Sequence, residues 1–86
     1  MILRFRLHFD RAKVLRWCEE LIHSHPPRGK KLGLEIKKQI DQPGLNDCTF
    51  ARLCRWVNPR RDEPFASPLA LKICVELYGV KHQRQD

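Results

Sequence analysis

Four cysteines and four histidines are the residues of this chain whose chemistry would support a metal site. His23 and His25 are two positions apart, and Cys48 and Cys54 are six positions apart. Structural zinc sites usually pair cysteines about two to four positions apart and histidines about three to five, so neither pair fits. The sequence therefore predicts no metal site and no other cofactor.

Nucleophilic catalysis would need a cysteine or serine beside a base, and Cys48 with His23 is the candidate pair. The sequence contains no glycine-rich nucleophile elbow, no helical pair of histidines around a glutamate and no phosphate loop. The adjacent carboxylates of Glu19 and Glu20 would point about 100° apart on a helix, which is typical of solvated surface. We therefore expect a protein that is not an enzyme.

The charge of the chain indicates binding rather than catalysis. Seventeen Lys and Arg against ten Asp and Glu give a net charge of +7, which is typical of a small nucleic-acid-binding domain. Residues 1–42 carry ten basic and five acidic side chains, a net +5, whereas residues 43–86 carry seven and five, a net +2. We expect the binding face mainly in the first half. The alternative is a soluble protein that happens to be basic.

Length and hydropathy restrict the class of protein further. A chain of 86 residues forms one domain with a thin core, which a partner subunit would stabilise. No run approaches the roughly 18 apolar residues of a membrane-spanning helix, and residues 1–9 lack the apolar segment of a signal peptide. The cysteines fit core positions better than disulfides. These features predict a cytoplasmic protein with no membrane association.

The first nine residues alternate between apolar and polar side chains. Leu3, Phe5, Leu7 and Phe9 fall on one side, and Arg4, Arg6 and His8 on the other. This is the period of a half-buried β-strand. No second alternating run exists to pair with it, so we expect the strand to pair with its own copy across a homodimer.

About four helices are predicted to follow, which makes the fold class mainly α with one N-terminal strand. Their apolar stripes are Val14, Trp17, Cys18, Leu21 and Ile22; Leu32, Ile36 and Ile40; Phe50, Leu53, Cys54 and Val57; and Leu69, Ile73 and Leu77. The first helix is predicted to begin at Asp10 and end at Ser24, and the second to begin at Arg28 and end at Pro43. The third is predicted to begin at Asn46 or Asp47 and end at Asn58, and the fourth to begin at Ser67 and Pro68 and end at Gly79. The predicted single domain spans residues 1–80, and residues 81–86 are a frayed polar tail.

Three groups of residues are candidate contacts to DNA. A two-stranded ribbon fits the major groove, so base contacts are assigned to Arg4, Arg6 and His8. Early helical turns favour phosphate, so backbone contacts are assigned to Arg11, Lys13, Arg28, Gly29, Lys30 and Lys31. A secondary basic patch comprises Arg52, Arg55, Arg60 and Arg61. The alternatives are an edge strand whose charges discourage aggregation and, for the third group, a solvated helix face.

The order of elements over residues 2–42 resembles the ribbon-helix-helix repressors: a strand, a helix from Asp10, a turn, and a helix opened by Gly29 to Lys31. The resemblance implies a dimeric transcriptional regulator of bacterial or phage type. Arg4, Arg6 and His8 would then read bases, while Gly29 and Lys30 would hold the DNA backbone. The double proline at Pro26 and Pro27 departs from the pattern, and residues 45–80 would be an added layer of two helices.

Residues 47–80 carry a rival resemblance, since Thr49 to Leu53 and Pro68 to Val80 are similar to parts of the helix-turn-helix domains of phage repressors. The charged stretch between Val57 and Ala66 shows no recognition helix. The alternative from another functional class is a small adaptor or inhibitor that docks an acidic protein through Trp17 or Trp56. RNA is a third possible partner, although the aromatic residues are not clustered on a polar face.

Overall fold

Four helices form the framework of the protein in the structure, a computed structural model that describes residues 4–58 and 67–79. They are α1 (Arg11–Ser24), α2 (Arg28–Gln39), α3 (Asp47–Val57) and α4 (Pro68–Tyr78). Helix α1 packs against α2 and α4, and α3 packs against the same two helices. The predicted mainly helical architecture is confirmed. Residues 81–86, predicted to be a frayed tail, lie outside the described residues.

The helix ends follow from local capping. The Asp10 side chain accepts a hydrogen bond of 3.1 Å from the amide of Lys13 at the start of α1. Asn46 and Ser67 cap α3 and α4 in the same way. Gly79 ends α4 with φ of 83°, a left-handed conformation that glycine adopts without a steric penalty. The predicted caps Asp10, Ser67 and Gly79 are confirmed, and Asn46 is the cap of α3 among the two predicted candidates, Asn46 and Asp47.

The predicted N-terminal strand is wrong, because none of the described residues forms a β-strand. Residues 4–10 instead cross the end of α4 and the loop after α2. The amide of Phe5 donates to the carbonyl of Pro43 at 2.7 Å, and the amide of Arg6 donates to the carbonyl of Leu77 at 2.6 Å. The chain itself thus supplies acceptors for this segment. The expected pairing of the strand across a homodimer is corrected accordingly.

Aromatic packing explains why an alternating segment docks in this way. The ring centroid of Phe5 lies 5.4 Å from that of Phe9 and 5.6 Å from that of Tyr78, and the centroid of Phe50 lies 5.4 Å from that of Tyr78. Leu7, which belongs to the same alternating set, is 91% exposed. The segment is therefore held by two aromatic anchors and by backbone hydrogen bonds, with no continuous apolar face.

Two glycines of α2 allow an unusually close approach to α1. A Cβ atom at Gly33 would lie 2.8 Å from the carbonyl oxygen of Cys18 and 2.7 Å from Cγ1 of Ile22. A Cβ atom at Gly29 would lie 2.7 Å from the carbonyl oxygen of Leu21. Residues four apart lie one above the other on a helix, so both glycines face α1. Contact with backbone oxygens leaves no room for a side chain at either position.

The core lies among the four helices. Its buried apolar side chains are Val14, Cys18, Leu21, Leu32, Ile36, Ile40, Leu45, Leu53, Ala70, Ile73, Cys74 and Leu77. All four cysteines are free thiols, of which Cys48 is exposed and Cys54 is partly buried. Burial raises the pKa of Cys18 to about 12, so this thiol stays neutral at physiological pH. The predicted packing of cysteines into the core is confirmed for Cys18 and Cys74.

One buried polar side chain joins the end of α2 to the start of α3. The amide nitrogen of Gln39 donates to the hydroxyl of Thr49 at 2.9 Å, and its carbonyl oxygen accepts from the amide of Asn46 at 2.8 Å. Gln39 is 5% exposed, and a buried amide is stable only when such bonds are made. The loop between α2 and α3 is therefore fixed from within.

Substitution of Gly33 tests the close contact between α1 and α2. An exposed glycine in a helix gains up to about 1 kcal/mol when replaced by alanine. Gly33→Ala should instead lower the free energy of unfolding by about 1–3 kcal/mol, because the new methyl group overlaps the backbone of α1. Urea denaturation measures the change, with Lys38→Ala, an exposed position of the same helix, as the control. A Gly33→Ala protein more stable than the wild type would disprove the contact.

Candidate nucleic-acid interface

The predicted DNA contacts fall at two opposite ends of an antiparallel pair of helices. At one end, Gly29 of α2 lies against His25 and Leu21 near the end of α1. At the other end, Arg11 at the start of α1 pairs with Asp41 just after α2. The 12 residues of α2 separate these ends by about 18 Å, at about 1.5 Å per residue. The predicted contacts therefore do not form one cluster.

The predicted base contacts Arg4, Arg6 and His8 are exposed and lie on the N-terminal segment. The side-chain stem of Arg6 packs over Gly79, where a Cβ atom would lie 2.8 Å from Cδ of the arginine. Since the described residues form no strand, the ribbon expected to carry these three side chains is not formed. Their assignment to base edges had depended on that ribbon.

The predicted phosphate contacts at the start of α1 differ in their surroundings. Both oxygens of Asp41 accept hydrogen bonds from the guanidinium of Arg11, at 2.9 to 3.2 Å. Lys13, two residues later, is exposed. Arg11 therefore has an intramolecular anion as its partner. A phosphate would have to displace or share that partner.

The described part of the secondary basic patch lies on α3, whose end is beside the start of α2. Arg55 is exposed and Arg52 is partly buried on α3. The neighbouring Trp56 ring lies 3.5 Å from the position that a Cβ atom would take at Gly29, which places the end of α3 beside the start of α2. Arg60 and Arg61 lie outside the described residues.

Of the four predicted phosphate contacts at the start of α2, one is buried and three are exposed. Gly29 is buried, and its amide donates to the carbonyl of His25 at 2.5 Å. Arg28, Lys30 and Lys31 are exposed. Glycine at this position thus serves helix packing, whereas the three cations beside it face solvent. No acidic residue lies in the first turn of α2, and no side chain caps it.

The outward face of α2 has a feature that the sequence reasoning missed. Leu34 is 42% exposed and lies on the side of α2 opposite the buried Leu32 and Ile36. Its neighbours on a helix surface are the residues three and four positions away on either side, and all four are lysines. These residues are Lys30, Lys31, Lys37 and Lys38. We call Leu34 and these four lysines the lysine face; its spacing in the sequence was the signal that would have identified it.

Ion pairs neutralise only one edge of the lysine face. Lys37 donates to the carboxylate of Glu19 on α1. Lys30, Lys31 and Lys38 form no ion pair with any residue that the structure describes. The hydrogen bond from Lys37, followed by its charge, lowers the pKa of Glu19 below its ordinary value. Three lysines around Leu34 therefore present their charge to solvent.

Comparison with known proteins gives no further guide, since no protein-family model, curated protein or solved structure matches the chain. No helix within residues 4–58 and 67–79 is long and apolar enough to cross a membrane. In the same part of the chain, no three His, Cys, Asp or Glu side chains are grouped closely enough to hold a metal ion.

The ion pair at the edge of the lysine face predicts a specific pH dependence. Because Lys37 lowers the pKa of Glu19 from its ordinary 4.5, the pair stabilises the fold above that pH, and the contribution is lost as the pH falls through the lowered value. An NMR titration of the Glu19 carboxyl should show the lowered midpoint. Lys37→Ala should return it toward 4.5, whereas Lys38→Ala should leave it low. A midpoint at or above 4.5 in the wild type would refute the pair.

Proposed function

We propose that this protein is not an enzyme and that it binds duplex DNA, with the lysine face of α2 as the surface that contacts the phosphate backbone. The observation that supports this most directly is the exposure of Lys30, Lys31 and Lys38 without an ion-pair partner among the described residues. A polyanion that meets such a surface releases condensed counterions, which supplies most of the affinity of backbone binding.

The start of α2 adds to this attraction. The first turn of a helix carries partial positive charge from amides that lack intrahelical acceptors, and it favours an anion. In α2 that turn carries Arg28, Lys30 and Lys31, with no acidic residue to offset them. Cations there oppose the helix dipole, so a bound phosphate would relieve an unfavourable interaction as well as form a favourable one.

A protein-interaction module is the alternative function, and three points favour DNA over it. Trp17 and Trp56, the candidate anchors for a partner protein, are partly buried against the core. Lysine is depleted at the centres of protein interfaces, whereas phosphate surfaces attract it. Leu7 and Leu34 are the exposed large apolar residues of the described chain, and neither is aromatic. A partner protein would thus find few anchors here.

Regulation of transcription is the role we propose for DNA binding of this kind. Contacts to phosphate position a protein on the duplex but carry no sequence information. A regulator must also distinguish base sequences, through groove contacts or through the shape of the duplex. Backbone binding by the lysine face is therefore a necessary part of that role, and sequence preference has to be tested separately.

The salt dependence of binding tests the lysine face directly. The logarithm of the binding constant for duplex DNA falls with the logarithm of salt concentration by about 0.9 for each phosphate contact. Replacing Lys30, Lys31 and Lys38 together by alanine should therefore reduce that slope by up to about 2.7 and weaken binding at low salt. Fluorescence anisotropy with a labelled duplex of mixed sequence measures both quantities.

A control of equal charge separates the lysine face from net charge alone. Arg16 and Lys72 are exposed cations on α1 and α4 that belong to none of the three predicted groups of DNA contacts, and α4 makes no contact with α2. Replacing these two by alanine removes the same charge as replacing Lys31 and Lys38. It should leave most of the slope intact, whereas the loss of Lys31 and Lys38 should reduce the slope by up to about 1.8. Equal losses in the two double variants would refute the assignment to α2. If the wild-type protein shows no binding to duplex DNA but binds poly-glutamate, the proposal that it binds DNA is refuted.

A further inference from the structure

We infer that Leu34 makes apolar contact with the C5 methyl group of thymine when the lysine face enters the major groove of DNA. This inference rests on the proposed function and adds to it the base that the surface prefers. It depends on the position of one exposed leucine at the centre of four lysines. The occupant of the face is then a duplex with thymine in its major groove.

The two sides of the lysine face form two rows. At 100° per residue, Lys30 and Lys37 lie on the side of α2 that faces Glu19 of α1, and Lys31 with Lys38 lie on the other. Each row spans seven residues, about 10 Å along the helix axis. Leu34 lies between the rows. Such a helix presents Lys30 to the phosphates on one side of a groove, and Lys31 with Lys38 to those on the other, while its central residue faces the bases.

Base edges in the major groove offer a leucine one suitable apolar partner. Guanine, cytosine and adenine present hydrogen-bond acceptors or donors there, whereas thymine also presents its C5 methyl group. An aliphatic side chain cannot exchange hydrogen bonds with the other edges. Leu34 at the centre of the face would therefore favour sites with thymine and gain affinity from the removal of two apolar surfaces from water.

The rotation of α2 is fixed, which makes this assignment specific. Gly29 and Gly33 lie against the backbone of α1, so α2 cannot turn to present another face without losing that contact. Gln39 holds the far end of the helix through Thr49. The side chain that a groove would meet at the centre of the lysine face is therefore Leu34, and none of the buried apolar residues of α2 can replace it.

Exchange of thymine for uracil, which lacks the C5 methyl group, provides the test. Two duplexes of identical base sequence, rich in A·T pairs, are compared, one with thymine and one with uracil throughout. The wild type should bind the thymine duplex about fourfold more tightly for each methyl group that Leu34 covers. Leu34→Ala should abolish this preference while retaining the salt slope. Leu34→Met, which keeps an apolar side chain of similar volume, should retain it.

Leu7→Ala is the matched control, because Leu7 is more exposed than Leu34 but lies outside the lysine face. It should leave the thymine preference unchanged, and unaltered urea midpoints would show that the variants remain folded. Steep salt dependence with equal affinity for both duplexes would overturn the role of Leu34 and leave the proposed function standing. A preference that survives in Leu34→Ala would also overturn it. Absence of any salt-dependent binding would overturn both.

Discussion

The contact of Gly29 and Gly33 with the backbone of α1 is the constraint on which the surface of this protein depends. Two helices that meet through glycines are set in register and in rotation at once, since the contact involves carbonyl oxygens that cannot move aside as side chains can. With the glycines against α1 and with Leu32 and Ile36 in the core, the remaining side of α2 faces solvent. The exposure of Leu34 and of Lys30, Lys31 and Lys38 is thus a consequence of how the buried residues of the same helix pack.

The N-terminal segment shows how a short chain satisfies the backbone hydrogen-bond donors of an extended segment without forming a β-sheet. Its amides at Phe5 and Arg6 use carbonyls at the end of α4 and in the loop after α2, two regions that would otherwise present unpaired acceptors. The aromatic ring of Phe5 adds apolar contact with the rings of Phe9 and Tyr78. The amide of Asp10 then donates to Glu76 at 2.6 Å, so the segment is tied to α4 along its length.

Local features of the sequence predicted the helices well, whereas nonlocal contacts escaped prediction. Capping by Asp10 and Ser67 depends on side chains within three residues of the amides they bind, so the pattern alone predicts it. Alternation over residues 1–9 has the same period whether an extended segment pairs in a sheet or docks on helix ends, and only the fold distinguishes these outcomes.

Gly29, which lies beside cations at the start of a helix, fits a phosphate contact equally well when the sequence alone is considered. Its true neighbour, the carbonyl of Leu21, is not a local feature of the sequence. Assignments of side chains to DNA remain predictions throughout.

The positions of three acidic residues around α2 explain why the positive charge of this helix is available on one side. Asp41 is paired with Arg11 and Glu19 with Lys37, and both pairs bridge the seam between α1 and α2. Glu35, the acidic residue within α2, accepts a hydrogen bond of 3.2 Å from Gln39 at the edge of the core. These three acids are thus engaged toward the seam or the core, away from the centre of the lysine face. Exposed pairs of this kind add little to stability, but they determine which cations keep their charge available. A basic composition predicts a polyanion as the partner, and the pairing of these acids determines which side of α2 would meet it.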